Sequence, residues 1–406
     1  TVSWDQTQIN AGNETAASFS FTGAEIGTTY EYTISSTGGV TTLTARGVIA
    51  SANETIGPFT LSTLDDGILT LSVTLTDDAS NEGTAAEATI RKDEVAPTGF
   101  TVSIDQSIIN AGNDDQLAFT FAGAEVPDAT YDYSVSSSGG GAAVTGSGTL
   151  ATATQNVTAI DVSTLGDGTL TLSVTVTDSL GDESTAQTSS VSKDVIAPAA
   201  YTVSFDPSAV NIGNQNSISF QLNSAEADGS FSYSITSDGG GTPVGSSGTT
   251  TAANQSVTGI NTSGLGDGQL TLALTFTDSA GNAGAIANAT INKDVVLPAG
   301  YTVSWDQASA TASNENALSF TFTSAEVGTD YDYTITSDGG AGTITASGTI
   351  VTATDQITPI DVSALPDGNL TLSVTLTDAV ANTGAAATAA IHKDTAAPAG
   401  FGVSVD

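Results

Sequence analysis

Internal repetition constrains this chain more than any other feature of its sequence. Thr-Val-Ser-aromatic-or-Ile-Asp ends at Asp5, Asp105, Asp206 and Asp306, and a fifth copy begins in Gly402-Val403-Ser404-Val405-Asp406, a period of 100 or 101 residues. Other landmarks keep the same step: Ala-Glu at Glu25, Glu125, Glu226 and Glu326, Asp-Gly at Asp66, Asp167, Asp267 and Asp367, and Lys-Asp at Asp93, Asp194, Asp294 and Asp394. The folding unit must therefore close on itself within about a hundred residues, which is an ordinary single-domain length.

Within one repeat the hydrophobic pattern has period two. Leu69, Leu71, Val73 and Leu75 alternate with Thr70, Ser72, Thr74 and Thr76, which predicts a strand with one buried face. The same reading gives seven strands, at 2–6, 17–24, 30–36, 41–49, 55–61, 68–77 and 85–92, separated by turn residues, and it requires no helix. Seven short antiparallel strands per hundred residues predict a two-sheet sandwich with Trp4, Phe19, Phe21, Tyr30, Tyr32 and Leu71 on its inner faces. The expected fold class is all-β, four tandem immunoglobulin-like antiparallel β-sandwich domains in an extended rod. Their boundaries fall at 1–98, 99–199, 200–299 and 300–399, with residues 400–406 opening a fifth. The linkers at 94–100, 195–201 and 295–301 each carry a Pro (Pro97, Pro198, Pro298) and are too short to act as floppy tethers.

Charge narrows the partners. With 44 acidic residues against 6 Lys and Arg, the net charge of -38 disfavours nucleic acid and anionic membrane. The absence of Cys removes disulfides and thiolate metal sites. No apolar run of about 18 residues suggests membrane insertion, and the first residues, with no Met anywhere, read as those of a fragment. The single His392 stands where earlier repeats have Arg91, Ser192 and Asn292, so no acid-base constellation recurs and the expectation is a non-enzyme.

In such a sandwich the loops after strands two and six share the N-terminal pole, and those after strands one, three and five share the C-terminal pole. Stacked repeats then set Asp66 and Asp93 against Glu125 and Asp178. The next sets are Asp167 and Asp194 against Glu226 and Asp278, then Asp267 and Asp294 against Glu326 and Asp378. Two carboxylates about 5 Å apart repel by about 3 kcal/mol at an effective dielectric near 20. All-oxygen donors, without recurring His or Cys, suit calcium better than zinc or magnesium, so Ca2+ is the expected cofactor. The other reading is that each Asp before Gly is a turn former in water. Asn10 and Asn13, with copies Asn110, Asn113, Asn211 and Asn214, fit Asx turns or further amide ligands, and Asp5 and its copies stay outside the metal set.

The Asp-Gly turn, the Thr-Asp ending the sixth strand (Asp77, Asp178, Asp278, Asp378) and the Lys-Asp-x-x-x-Pro linker resemble the bacterial Ig-like extender repeats of giant RTX-type biofilm and ice-binding adhesins. The resemblance implies a secreted, cell-surface spacer that projects a distal ligand-binding domain. Its partners would be calcium ions and neighbouring repeats of the same monomeric chain. With the seven strands lettered A to G in order, one departure is the residue of the F–G loop four places after the sixth-strand aspartate, Asn81, Asp182, Asn282 or Asn382, where ligand chemistry varies from copy to copy. The rival reading is a carbohydrate- or protein-binding module, against which no loop carries a distinctive aromatic cluster.

Overall fold

The computed structural model describes residues 1–406 apart from Pro127, Phe401 and residues 403–406, so the expected fifth copy lies, Gly402 aside, outside the described residues. The chain divides into two compact units, Thr1–Ile196 and Ala197–Asp406, each holding two repeats. Each repeat has its own hydrophobic core.

The first repeat runs β1 (Val2–Trp4), β2 (Ala17–Phe21), β3 (Thr29–Ser36), β4 (Thr42–Val48), β5 (Thr55–Phe59), β6 (Gly67–Thr76) and β7 (Ala86–Lys92). One sheet has the order β1-β2-β5 and the other β4-β3-β6-β7, all antiparallel, and the three later repeats copy this arrangement. The fourth strand pairs with the third, so three strands face four in an immunoglobulin-like sandwich. A short 3-10 turn, Glu14–Ala16, departs from the expectation of no helix. It closes through the Ala16 amide on the Asn13 carbonyl and does no more than carry the chain into β2.

The alternation read from β6 is the one that packs. Leu69, Leu71 and Val73 are buried while Thr70, Ser72 and Thr74 are half-exposed. Phe19, fully buried, meets Tyr32 edge-on at 5.3 Å and Phe21 at 5.6 Å, ring pairs that add directional attraction to the burial itself. Trp4 and Tyr30 are only partly buried and pack against the rim of that core.

Two features outside the regular strands position the repeat ends. Ile9 forms a parallel bridge with Lys92, with the Ile9 amide on the Arg91 carbonyl and the Asp93 amide on the Ile9 carbonyl. The bridge recurs at Ile109 with Lys193, Val210 with Lys293 and Ala310 with Lys393, and it draws the A–B loop beside the end of the last strand. The linker ends in an aromatic that plugs the repeat it precedes. Phe100 is buried in the second core, and the Tyr301 hydroxyl donates to Ala385 O at 2.6 Å and accepts from the Leu376 amide at 3.2 Å.

Candidate cation sites at the repeat junctions

The C-terminal pole of each repeat is organised by the lysine of the Lys-Asp signature. Its side chain is buried in all four copies although the chain has only six basic residues. Lys193 Nζ donates to Val162 O at 2.8 Å and Leu165 O at 2.7 Å, and Lys393 Nζ donates to Val362 O at 2.9 Å and Leu365 O at 2.7 Å. A buried ammonium needs such partners, and here it ties the last strand to the loop carrying Asp-Gly. In that turn Gly67 has φ 139° and Gly168 φ 138°, a conformation that side chains disfavour.

Around Lys92 the acids crowd. Lys92 Nζ reaches Asp66 Oδ1 at 3.2 Å and pairs closely with Glu94. Burial alone would lower the ammonium pKa, but Glu94 and Asp66 outweigh it and hold it above its usual value. The neighbouring Glu94 carboxyl, together with burial, pushes the Glu14 carboxyl up. Asp93 accepts the Val95 amide at 3.3 Å.

At the N-terminal pole the sixth-strand aspartate closes its own loop. Asp178 Oδ1 accepts the amides of Leu180 at 2.8 Å and Asp182 at 3.0 Å. Asp278 Oδ1 accepts the Asn282 amide at 2.8 Å, and Asp378 Oδ1 accepts those of Val380 at 2.9 Å and Asn382 at 2.8 Å.

The two poles meet inside each unit. In the first, Gln8 Nε2 and Asn10 Nδ2 both donate to Leu180 O at 2.6 Å, and the Ala11 amide donates to Asp182 Oδ1 at 3.0 Å. In the second, Asn211 Nδ2 donates to Val380 O at 2.7 Å and the Ile212 amide to Asn382 Oδ1 at 2.9 Å. The remaining amide of Asn382 bridges Asp294 O at 2.9 Å and Asp378 Oδ2 at 2.8 Å. Asp182 has no such hydrogen to give. It is 5% exposed and its Oδ2 has no hydrogen-bond partner. Burial pushes its carboxyl up, opposed by the Ala11 amide and reinforced by the charges of Asp178, Asp93 and Asp66.

The sequence-derived ligands are thus placed unevenly. Asp66, Asp93 and Asp178 lie close enough to Asp182 to act on its charge. Glu125, Glu226 and Glu326 are exposed at their loops. Asp167 and Asp267 each accept a linker amide, from Val195 and Val295 at 3.1 Å, and Asp194 and Asp294 accept those of Ile196 and Val296. Among the described residues no three His, Cys, Asp or Glu side chains already converge on one point to hold a metal. An ion would need backbone carbonyls and small side-chain movements as well as carboxylates.

Sequence reasoning gave Asn10 and Asn13 an Asx turn, which they form: the Asn10 amide bonds Asn13 Oδ1 at 2.9 Å and the Gly12 amide bonds Asn10 Oδ1 at 3.0 Å. It missed that this turn frees Asn10 Nδ2 to cross the junction. The signal was the recurrence of Asn at two spaced positions in a loop, where one would suffice for a turn. Asp5 accepts the hydroxyls of Ser18 and Ser20 at 2.6 and 2.7 Å, a local role.

No family profile matches the chain. No curated protein matches it. Among solved structures it is similar to a tetra-tandem repeat in the extending region of a large adhesion protein, at 23% identity and TM-score 0.42, covering 97% of this chain and 99% of that one. It is similar also to a structure described as giving insight into host cell surface retention of a 1.5-MDa bacterial ice-binding adhesin, at 20% identity and TM-score 0.36, over 73% of this chain and 98% of that one. The chicken CNTN1 FN1–FN3 domains are a third, at 11% identity and TM-score 0.30, over 73% and 98% of the two chains.

Proposed function

We propose that this chain is a structural spacer within a large secreted bacterial surface adhesin, whose successive sandwiches are stiffened by calcium where they abut. The observation that carries the reading is the repeated end-to-end bond. An A–B loop asparagine of one repeat is fixed to the F–G loop carbonyl of the next in each unit, Asn10 to Leu180 and Asn211 to Val380. A chain that devotes the loops at both ends of its sandwiches to holding neighbours is suited to bearing length, with no catalytic role and no bound partner beyond ions and adjacent repeats.

The calcium part of the reading rests on the first junction. A buried carboxylate oxygen without a partner, beside Asp178, Asp93 and Asp66, is an arrangement that an oxygen-seeking cation relieves. Asp182, Asp178 and Asp93 would hold the ion there, and the ion would supply positive charge and oxygen ligation. Extracellular modules of this kind bind calcium at about 10⁻⁴–10⁻³ M. Melting curves of the chain across calcium concentrations test the reading, because an ion bound to the folded form alone raises the melting temperature. A melting temperature unchanged between chelator and ten millimolar-range calcium additions would remove calcium from it.

A further inference from the structure

The two junctions described above differ most directly at one side-chain position of the F–G loop, Asp182 in the first and Asn382 in the second. Asn382 Nδ2 donates to Asp294 O and Asp378 Oδ2, and by repeat register these correspond to Asp93 O and Asp178 Oδ2 at the first junction. There the counterpart of Nδ2 is Asp182 Oδ2, a third oxygen with no proton to share, 95% removed from solvent with its residue and without a partner. The surroundings differ in the same sense. Glu14, Asp66, Asp93, Glu94, Asp178 and Asp182 are six acids, whereas the corresponding Gln215, Asp267, Asp294, Val295, Asp378 and Asn382 include three.

We propose that Asp182 makes the junction of repeats 1 and 2 a divalent-cation site of its own, which the Asn382 junction replaces with a built-in amide bridge. This rests on the calcium reading above and goes further, because it makes the joints of one chain unequal. Both are held by hydrogen bonds between the A–B and F–G loops, but one keeps an unpartnered buried oxygen for an ion to meet, while in the other an amide already bridges that position. The residue that decides between them is the fourth after the sixth-strand aspartate, Asp in one and Asn in the other. An amide nitrogen and a cation perform the same task for the facing carbonyl and carboxylate, but only the cation varies with its surroundings.

Calorimetric titration of calcium chloride into the full chain tests this with two variants. Asp182→Asn installs the residue that the equivalent junction carries, so the fold is kept, and Asn382→Asp makes the opposite exchange. The expected result is one calcium equivalent fewer in D182N and one more in N382D, with D182N melting at a higher temperature than the parent in chelator. If the parent binds calcium and D182N binds the same number of equivalents, the assignment to Asp182 is overturned while the calcium reading stands. If the parent takes up no calcium, both fall.

Discussion

Asn211 Nδ2 donates to the carbonyl oxygen of Val380 at 2.7 Å, a non-covalent tie between two sandwiches that the linker 295–301 already joins at the same junction. The bond is made possible by an Asx turn in which Asn211 Oδ1 accepts the Gly213 amide at 2.9 Å, leaving the amide nitrogen to face outward. Replacing Asn211 by Ala removes both. A neutral hydrogen bond is worth about 1 kcal/mol, or about a fivefold change in a local opening equilibrium. Hydrogen exchange at the Ile212 amide, which bonds Asn382 Oδ1, should quicken by about that factor while amides of the strand Gly268–Thr277 keep their rates.

Lys193→Met should be the most damaging of the single changes considered. Its ammonium is buried and bonds Val162 O and Leu165 O, so Met leaves two carbonyls without their donor. Loss of a buried charged donor costs about 3 kcal/mol. Denaturant unfolding should show an earlier transition for the unit Thr1–Ile196, with that of Ala197–Asp406 unmoved.

Tyr301→Phe should keep the fold and weaken it. Phe100 fills the corresponding seat of the second repeat, so the ring is what packs. The hydroxyl adds bonds to Ala385 O and from the Leu376 amide, and its loss should cost about 1–2 kcal/mol in urea unfolding.

Asp306 gives a pH signature. Burial alone would raise its carboxyl, but bonds from Ser319, Thr321 and Gln356 outweigh burial and hold it below the usual carboxylate range. With the folded value depressed, its stabilisation is fully present above the unfolded value of about 3.9 and is lost as pH falls through the folded one. Asp306→Asn should therefore melt below the parent at neutral pH, with the gap closing as the solution is acidified. A gap independent of pH would show that shape, and not charge, matters at this position.

The strands were legible because burial on a sheet leaves a period-two record, and β6 keeps it without interruption from Leu69 to Val73. The poles were legible as well, since the strand count alone sets which loops share an end. What the sequence did not disclose is which atom of a loop residue is already engaged. Asp178 Oδ1 is occupied by two amides of its own turn, and Asn10 divides its side chain between an Asx turn and the neighbouring repeat. The same Asp-Gly dipeptide serves equally for a turn, a linker cap or a ligand. The lysine of the Lys-Asp pair read as a landmark only, because nothing in its immediate neighbours shows that it will be buried against carbonyls 28 and 31 residues earlier.

The chain has no cysteine, so two introduced thiols take spin labels without background. Ser51→Cys and Ala151→Cys place one label on each side of the first junction, both at exposed loop positions. Pulsed dipolar spectroscopy then reads the distance distribution between repeats 1 and 2 directly. Stiffening by calcium predicts a broad distribution in chelator that contracts to a single narrow peak when calcium is restored. Superimposable distributions in the two conditions would contradict it.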